Sequence, residues 1–154
     1  MPSMTDPANP VSVTLVLATP EDAAMAFAWR NDPATRAHAH DSSPLTMSGH
    51  QAWWDAAIKS PHRYLLVAYK DQVAVGILRL DRTGLSAEVS IYLDPSRTGQ
   101  GLGKKVLRAG LQYARCLGLD TLTASIKESN IASRSAFFSV GFERRDKVWV
   151  CRVV

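Results

Sequence analysis

The chain has 154 residues, 46% of them hydrophobic and 21% charged, with a formal net charge of +4. That length and composition suit one globular domain with a real core, and they exclude a disordered chain, whose apolar fraction would be lower and charge imbalance larger. Apolar runs such as Tyr64 to Tyr69 fall far short of the roughly 20 residues that a bilayer span needs, so a membrane role is excluded as well.

The first ten residues, MPSMTDPANP, hold three prolines and neither a basic start nor an apolar run. They read as a flexible N-terminal tail (1–10) without a secretory signal, ahead of a single domain over 11–154. Val11, Val13, Leu15 and Leu17 alternate with other residues as in a first strand. Thr19-Pro20-Glu21-Asp22 supplies a cap, an early proline and two acids for a helix that runs to about Arg30 and stops near Asn31-Asp32-Pro33. Ser48 to Ser60 reads as a second helix. Tyr64–Tyr69 and Val73–Leu80 flank Lys70-Asp71-Gln72 as a hairpin, and Ala87–Leu93 adds a third strand ending at Asp94-Pro95.

From Gly101 to Gly118, apolar residues at 102, 106, 107, 111, 114 and 117 follow helical spacing, with Gly118 as the C-cap. Thr121–Ile126 then reads as a strand, Asn130–Val140 as a helix, and Phe142 to Val154 as one or two final strands. The order β-α-α-β-β-β-α-β-α-β(-β) predicts an α/β fold: a mixed, mostly antiparallel sheet flanked by about four helices.

Two cysteines, Cys116 and Cys151, suit a reduced, cytoplasmic protein better than a disulfide scaffold. Of the cations, Arg97, Lys104, Lys105 and Arg108 bracket one glycine-rich segment, Gly99-Gln100-Gly101-Leu102-Gly103. It lies between a strand and a helix, where glycines let backbone approach a ligand and free helix N–H groups face an anion. The cations add charge-assisted contacts. A Walker loop would need glycine at Thr98 and Ser or Thr at Lys105. A dinucleotide fingerprint would need a small residue at Lys104 and an early parallel βαβ unit. A phosphate-bearing small molecule fits better than nucleic acid, because the chain lacks an aromatic and basic platform.

The loop Thr98 to Gly103 resembles the acyl-CoA loop of the GCN5-related N-acetyltransferases, apart from its first residue. Arg97 sits one place early for that role. The segment Asn130 to Phe142 is similar to the family's second signature. The resemblance spans roughly residues 11–150 and implies acetyl-CoA as cofactor. It places the pantetheine near Ile91 and Leu93, and the pyrophosphate over Gly99, Gln100, Gly101, Leu102, Gly103 and Lys104. Asn130, Ser133 and Phe137 would lie along the cofactor. It also implies direct attack of an amine on the thioester, with a backbone N–H near Leu93 polarising the carbonyl.

Glu88, on one strand face with Ser90 and Tyr92, is the candidate base, with a solvated strand residue as the alternative. Many relatives carry Tyr where Phe137 stands, so Tyr92, Ser133 or water is left to protonate the thiolate. Trp29-Arg30-Asn31, Arg36 and Trp54 resemble acceptor-side features of ribosomal-protein and nucleotide-amino-sugar N-acetyltransferases. The arginines would hold an acidic group and the tryptophans would stack on a ring, or else simply cover the sheet. His38 and His40 read as solvated or substrate-contacting, since no third ligand at metal spacing accompanies them.

The expected activity is acetyl transfer to a nucleotide-linked amino sugar. A protein N-terminus, another small amine, or a non-catalytic CoA-binding module remain as alternatives, and a homodimer is left open.

Overall fold

A computed structural model describes residues 4–5 and 13–153. Its strands are β1 (Met4–Thr5), β2 (Thr14–Leu17), β3 (Arg63–Lys70), β4 (Val73–Thr83), β5 (Ser86–Leu93), β6 (Thr121–Ala124), β7 (Glu143–Arg145) and β8 (Val148–Arg152). Its helices are α1 (Ala23–Arg30), α2 (Pro33–Ala37), α3 (Met47–Lys59), α4 (Leu102–Cys116) and α5 (Ile131–Ser139), with 3-10 turns at Pro20–Asp22 and Pro95–Arg97. The strands form one sheet in the order β1-β2-β3-β4-β5-β6-β8-β7. Every pairing is antiparallel except that of β5 with β6. The mixed sheet and helix content match the expected class.

Two elements differ from the sequence reading. Met4–Thr5, in the segment expected as a tail, pairs with Thr14 and Leu15, while the rest of that segment and Val11 lie outside the described residues. Asp32-Pro33, read as a stop, also starts α2: the Asp32 carboxylate accepts from Ala34 N at 3.0 Å and proline takes the first helical position.

Alternation along the strands gives the sheet two covered faces. Leu66, Leu78, Leu80 and Val89 meet the buried stripe of α4 (Leu102, Val106, Leu107, Tyr113) together with Phe137 and Phe142. Leu65, Val67 and Ile77 face the other way, onto Ala23, Ala26, Trp54 and Ala57 of α1 and α3. In the β3–β4 ladder Val75 is an extra, bulged residue, because Ala68 pairs with Gly76 and Tyr69 with Ala74. The freed Val75 carbonyl takes Asp94 N–H at 2.9 Å. That bond pins the chain where it leaves β5 for the glycine loop.

The β5–β6 ladder is short. It runs from Ser86↔Thr121 to Glu88↔Thr123 and stops, although β5 continues to Leu93. On its far side β6 is held by β8, from Thr121↔Arg152 to Ala124↔Trp149. The two strands therefore splay, leaving one edge of β5 without a ladder partner from Val89 onward.

Candidate active site

The splay opens into a cavity of about 650 Å³. Both faces of β5 contribute, Val89 and Ile91 from one and Ser90 and Tyr92 from the other, so the cavity passes through the sheet rather than resting on it. On the α4 and α5 side its wall is Ala124, Ser125, Asn130, Ser133 and Phe137. On the α1 and α3 side it is Arg30, His50, Trp53, Arg79 and the connection containing His38, His40 and Asp41.

That connection is tied across the splay. His40 Nε2 lies 3.3 Å from the Ser125 carbonyl, and Lys127 Nζ donates to the Ala37 carbonyl at 3.2 Å. Asn31 Oδ1 accepts from Leu45 N at 2.8 Å and fixes its far end. Asn31 thus shapes the loop, and its oxygen is already in use.

Beyond β5 the chain makes the turn Pro95–Arg97 and enters the glycine loop. Gly99 and Gly101 have φ of +78° and +72°, a conformation that costs an L-residue about 1–2 kcal/mol. A Cβ at either would meet nothing within 4 Å, so the space above the loop is open. Gly101 is the N-cap of α4 and brings no side chain, so the helix starts with uncapped N–H groups. Gln100 and Lys104 are exposed beside it. A pyrophosphate fits this cradle, which combines outward N–H groups, helix-dipole charge and nearby cations. Leu102 reaches it only through backbone, since its side chain is core. Arg97 Nε lies 3.7 Å from the Asp94 carboxylate and is partly neutralised there.

The match to known proteins shows the family. Residues 12–143 match the family model described as an acetyltransferase (GNAT) domain. The chain belongs to the GNAT acetyltransferases. It is 31% identical to the Bacillus subtilis protein YwnH, named after phosphinothricin acetyltransferases, over 84% of this chain and 83% of that one. It is 27% identical to the L-methionine sulfoximine/L-methionine sulfone acetyltransferase of Pseudomonas paraeruginosa, over 67% of this chain and only 63% of that protein's length. The aminoglycoside acetyltransferase AAC(6')-Ib, solved with paromomycin and acetyl-CoA, superposes with a TM-score of 0.83 at 19% identity, covering 92% of this chain and 93% of that one.

The family model is that of an acetyltransferase domain, these relatives are named acetyltransferases, and the aminoglycoside enzyme was solved with acetyl-CoA, a donor whose acetyl group is already activated as a thioester. The narrower branch expected from sequence, ribosomal-protein or amino-sugar, is not reached by these matches. Among the described residues no helix is long and apolar enough to cross a membrane.

Against this frame the expected GNAT site residues divide. Ile91, Tyr92, Asn130, Ser133, Phe137 and Arg30 line the cavity. Asn130 also caps α5, with Oδ1 accepting from Ser133 N at 3.2 Å. Phe137 is buried against Phe142, their ring centroids 4.9 Å apart. Leu93 lies outside the wall, opposite Gly76 in the β4–β5 ladder.

Glu88 shares its face with Ser90 and Tyr92, as its spacing indicates, yet it is exposed at the last rung of the ladder and outside the cavity wall. Trp54 is a correction. It is fully buried between α1 and the sheet, and its indole N–H donates to the Thr19 carbonyl at 2.9 Å, so it cannot stack on a ligand. Trp29 packs at the edge of the same cluster, and Arg36 lies outside the wall, its Nε buried without a partner among the described residues.

Sequence reasoning passed over Trp53, His50 and Arg79. His50, Trp54 and Ala57 form one buried stripe at i, i+4, i+7, which leaves Trp53 turned toward the cavity. The guanidinium carbons of Arg63 and Arg79 sit 5.5 and 5.3 Å from the Trp53 ring centroid, and one carboxylate, Asp81, accepts from both Nε atoms at 2.7 and 3.1 Å. One positive charge remains in excess, and Arg79 is the member that reaches the cavity. A charged residue between Leu78 and Leu80, in the otherwise apolar run from Val73 to Leu80, was the available signal.

Electrostatics sharpen the wall. Burial pushes the Tyr92 phenol well above its ordinary 10, and the guanidiniums of Arg30 and Arg79 only partly offset this. Its hydroxyl therefore stays protonated near pH 7. Burial pulls His50 below its ordinary 6.5, which keeps the imidazole neutral near pH 7. Arg30 donates weakly to the Asp41 carbonyl at 3.4 Å through Nη2, while its buried Nη1 has no partner among the described residues.

Proposed function

We propose that the protein acetylates the primary amine of a small acceptor that carries an acidic group, with the donor approaching from the α4 and α5 side of the sheet and the acceptor from the α1 and α3 side. The observation that carries this reading is the guanidinium pair on the acceptor side. Arg30 lines the cavity with only a long 3.4 Å bond to the Asp41 carbonyl, Arg79 adds the charge that Asp81 leaves over, and the one carboxylate in the wall, Asp41, is already engaged by Ser43 N. An incoming carboxylate or phosphinate takes charge-assisted hydrogen bonds from these two cations. Relatives named for L-methionine derivatives and phosphinothricin fit the same chemistry.

Residue roles follow in the same spirit. The pyrophosphate lies on residues 99–104, the pantetheine runs along the free edge of β5 past Ile91 and Leu93, and Asn130, Ser133 and Phe137 border it. Tyr92 donates a hydrogen bond to the departing sulfur rather than surrendering its proton, because its phenol is too weak an acid. The protein works as a soluble cytoplasmic enzyme.

A nucleotide-linked amino sugar is the second reading, supported by the same arginines but not by Arg36, which stands outside the cavity. A thiol-release assay with acetyl-CoA tests the proposal, using acceptors paired with and without an acid group. Turnover of the acid-bearing member of each pair is expected. Equal turnover of both members, or preference for nucleotide sugars over amino acids, would remove the small-acid reading. Tight CoA binding without thiol release for any amine would instead indicate a non-catalytic module.

A further inference from the structure

We propose that His50 is the general base that takes the proton from the acceptor ammonium. The inference rests on the acetyl-transfer reading and concerns a residue that the loop motifs do not touch. An ammonium has no lone pair, so the acceptor must lose a proton before it attacks, and the cavity wall must offer a basic atom to receive it.

The wall holds few. Arg30 and Arg79 are cations, Tyr92 is held in its phenol form, and the Asp41 carboxylate is drawn down by Ser43 and Arg30 into a weakly basic, exposed site. His40 spends Nε2 on the Ser125 carbonyl, and both His38 and His40 sit exposed on the connection between α2 and α3. Glu88 lies outside the wall.

His50 differs in geometry. It stands in the first turn of α3, only 7% exposed, with its ring 5.6 Å from Phe27 and 5.5 Å from Trp54. Its Nε2 lies 3.1 Å from the Ala23 carbonyl. A carbonyl can only accept, so Nε2 carries the hydrogen and Nδ1 carries the lone pair. Nδ1 makes no hydrogen bond among the described residues, and it is absent from the polar atoms that are both sealed and unpartnered, which are Arg30 Nη1, Arg36 Nε, Tyr113 Oη and Arg134 Nε. The surface it keeps belongs to a residue of the cavity wall. Two rings and one carbonyl thus fix a neutral imidazole whose basic nitrogen is unpartnered among the described residues, on a residue of the cavity wall.

The groups around it act consistently. Burial disfavours the protonated ring most, only the Ala23 carbonyl favours it, and Arg30 of α1 adds a smaller repulsion. Tyr92 of β5 is uncharged, Asp41 of the connection is exposed, and Asp55 on α3 itself accepts from Gln51 at 2.9 Å. In the reaction Nδ1 takes one proton from the ammonium, directly or through one water. The freed nitrogen pair forms the C–N bond, and the C–S bond breaks with its electrons on sulfur. The second nitrogen proton, made acidic by amide formation, ends on the thiolate, and the imidazolium releases its proton to solvent once products leave. Atoms and charge balance as ammonium plus thioester giving amide, thiol and one proton.

The test is the pH profile of kcat/KM for the full chain with acetyl-CoA and one turned-over acceptor. The wild type should show an acidic limb with a midpoint below 6.5, then a plateau. His50→Gln, whose amide can still donate to Ala23, should lose about 100-fold in kcat at pH 7. It should also lose the plateau, its rate climbing with pH toward the pKa of the amine itself, while CoA affinity is unchanged. A merely structural role would scale the profile down without changing its shape, and that result overturns the inference. So does loss of the acidic limb in Glu88→Gln instead. If His50→Gln does not fold, the wild type decides. An acceptor with an electronegative substituent that lowers its amine pKa leaves the acidic limb in place when the base belongs to the enzyme, and shifts it when there is no base. Failure of every amine to release thiol from the wild type would strike the activity reading, and is thereby separable.

Discussion

Replacing Arg30 by Met tests the acceptor side most directly. The guanidinium holds one buried nitrogen without a partner and one long bond of 3.4 Å to the Asp41 carbonyl. An acid group bound by the guanidinium makes a charge-assisted hydrogen bond of about 1.5–3 kcal/mol, which Met cannot supply. At 1.4 kcal/mol per factor of ten, the loss is about 10- to 150-fold in kcat/KM for acid-bearing acceptors. The stability expectation runs the other way. Removing a sealed, unsatisfied donor relieves a desolvation cost of about 1–3 kcal/mol, and the bond given up is weak, so Tm should hold or rise. Steady-state kinetics on an amino acid and its amide, beside a thermal melt, measure both effects. An equal fall for the two acceptors, or a Tm drop of several degrees, would refute this reading of Arg30.

Other outcomes can be checked alongside. Gly101→Ala forces alanine to φ of +72°, costing about 1–2 kcal/mol, so Tm should fall by a few degrees and the KM for acetyl-CoA should rise, with acceptor KM little changed. Trp54→Ala should destabilise by about 3–5 kcal/mol in denaturant melts, because the ring is fully buried. Trp53→Ala, by contrast, should leave stability near wild type and raise acceptor KM, since that ring is 37% exposed and lines the cavity. His50 has a folded pKa below its ordinary 6.5, so the unfolded chain binds the extra proton first. Stability should therefore rise with pH through the window just below 6.5 and be complete above it, and His50→Gln should flatten that part of the Tm–pH curve. Asp41, whose pKa is depressed, acts only at lower pH, where its stabilisation is lost as the carboxylate protonates.

Where one physical rule governed a segment, sequence sufficed. Two apolar runs around Lys70-Asp71-Gln72, and a third ending at Asp94-Pro95, located β3, β4 and β5 within a few residues, and the buried stripe of α4 followed from its apolar spacing. The glycine loop was legible because positive φ at 99 and 101 selects glycine in sequence as in space. Elsewhere two rules competed. Asp32-Pro33 satisfies both a helix stop and a helix start, and only the Ala34 amide settled it. Adjacent tryptophans on a helix point about 100° apart, so choosing Trp54 over Trp53 needed the phase set by His50 and Ala57. Arg79 and the splay after Glu88 depend on which strands are neighbours, information that no local pattern carries.

Past Thr123, β6 no longer leans on β5, and what keeps the gap from closing or widening is the strand behind it. Trp149 pairs with Ala124 and Val150 with Thr123, and no described residue from Glu143 onward enters the cavity wall. On the proposed site, the reaction depends on a buttress that touches neither substrate. Substitutions in β8 would change the width of a doorway rather than its furniture, affecting donor and acceptor together while every side chain that meets them stays the same.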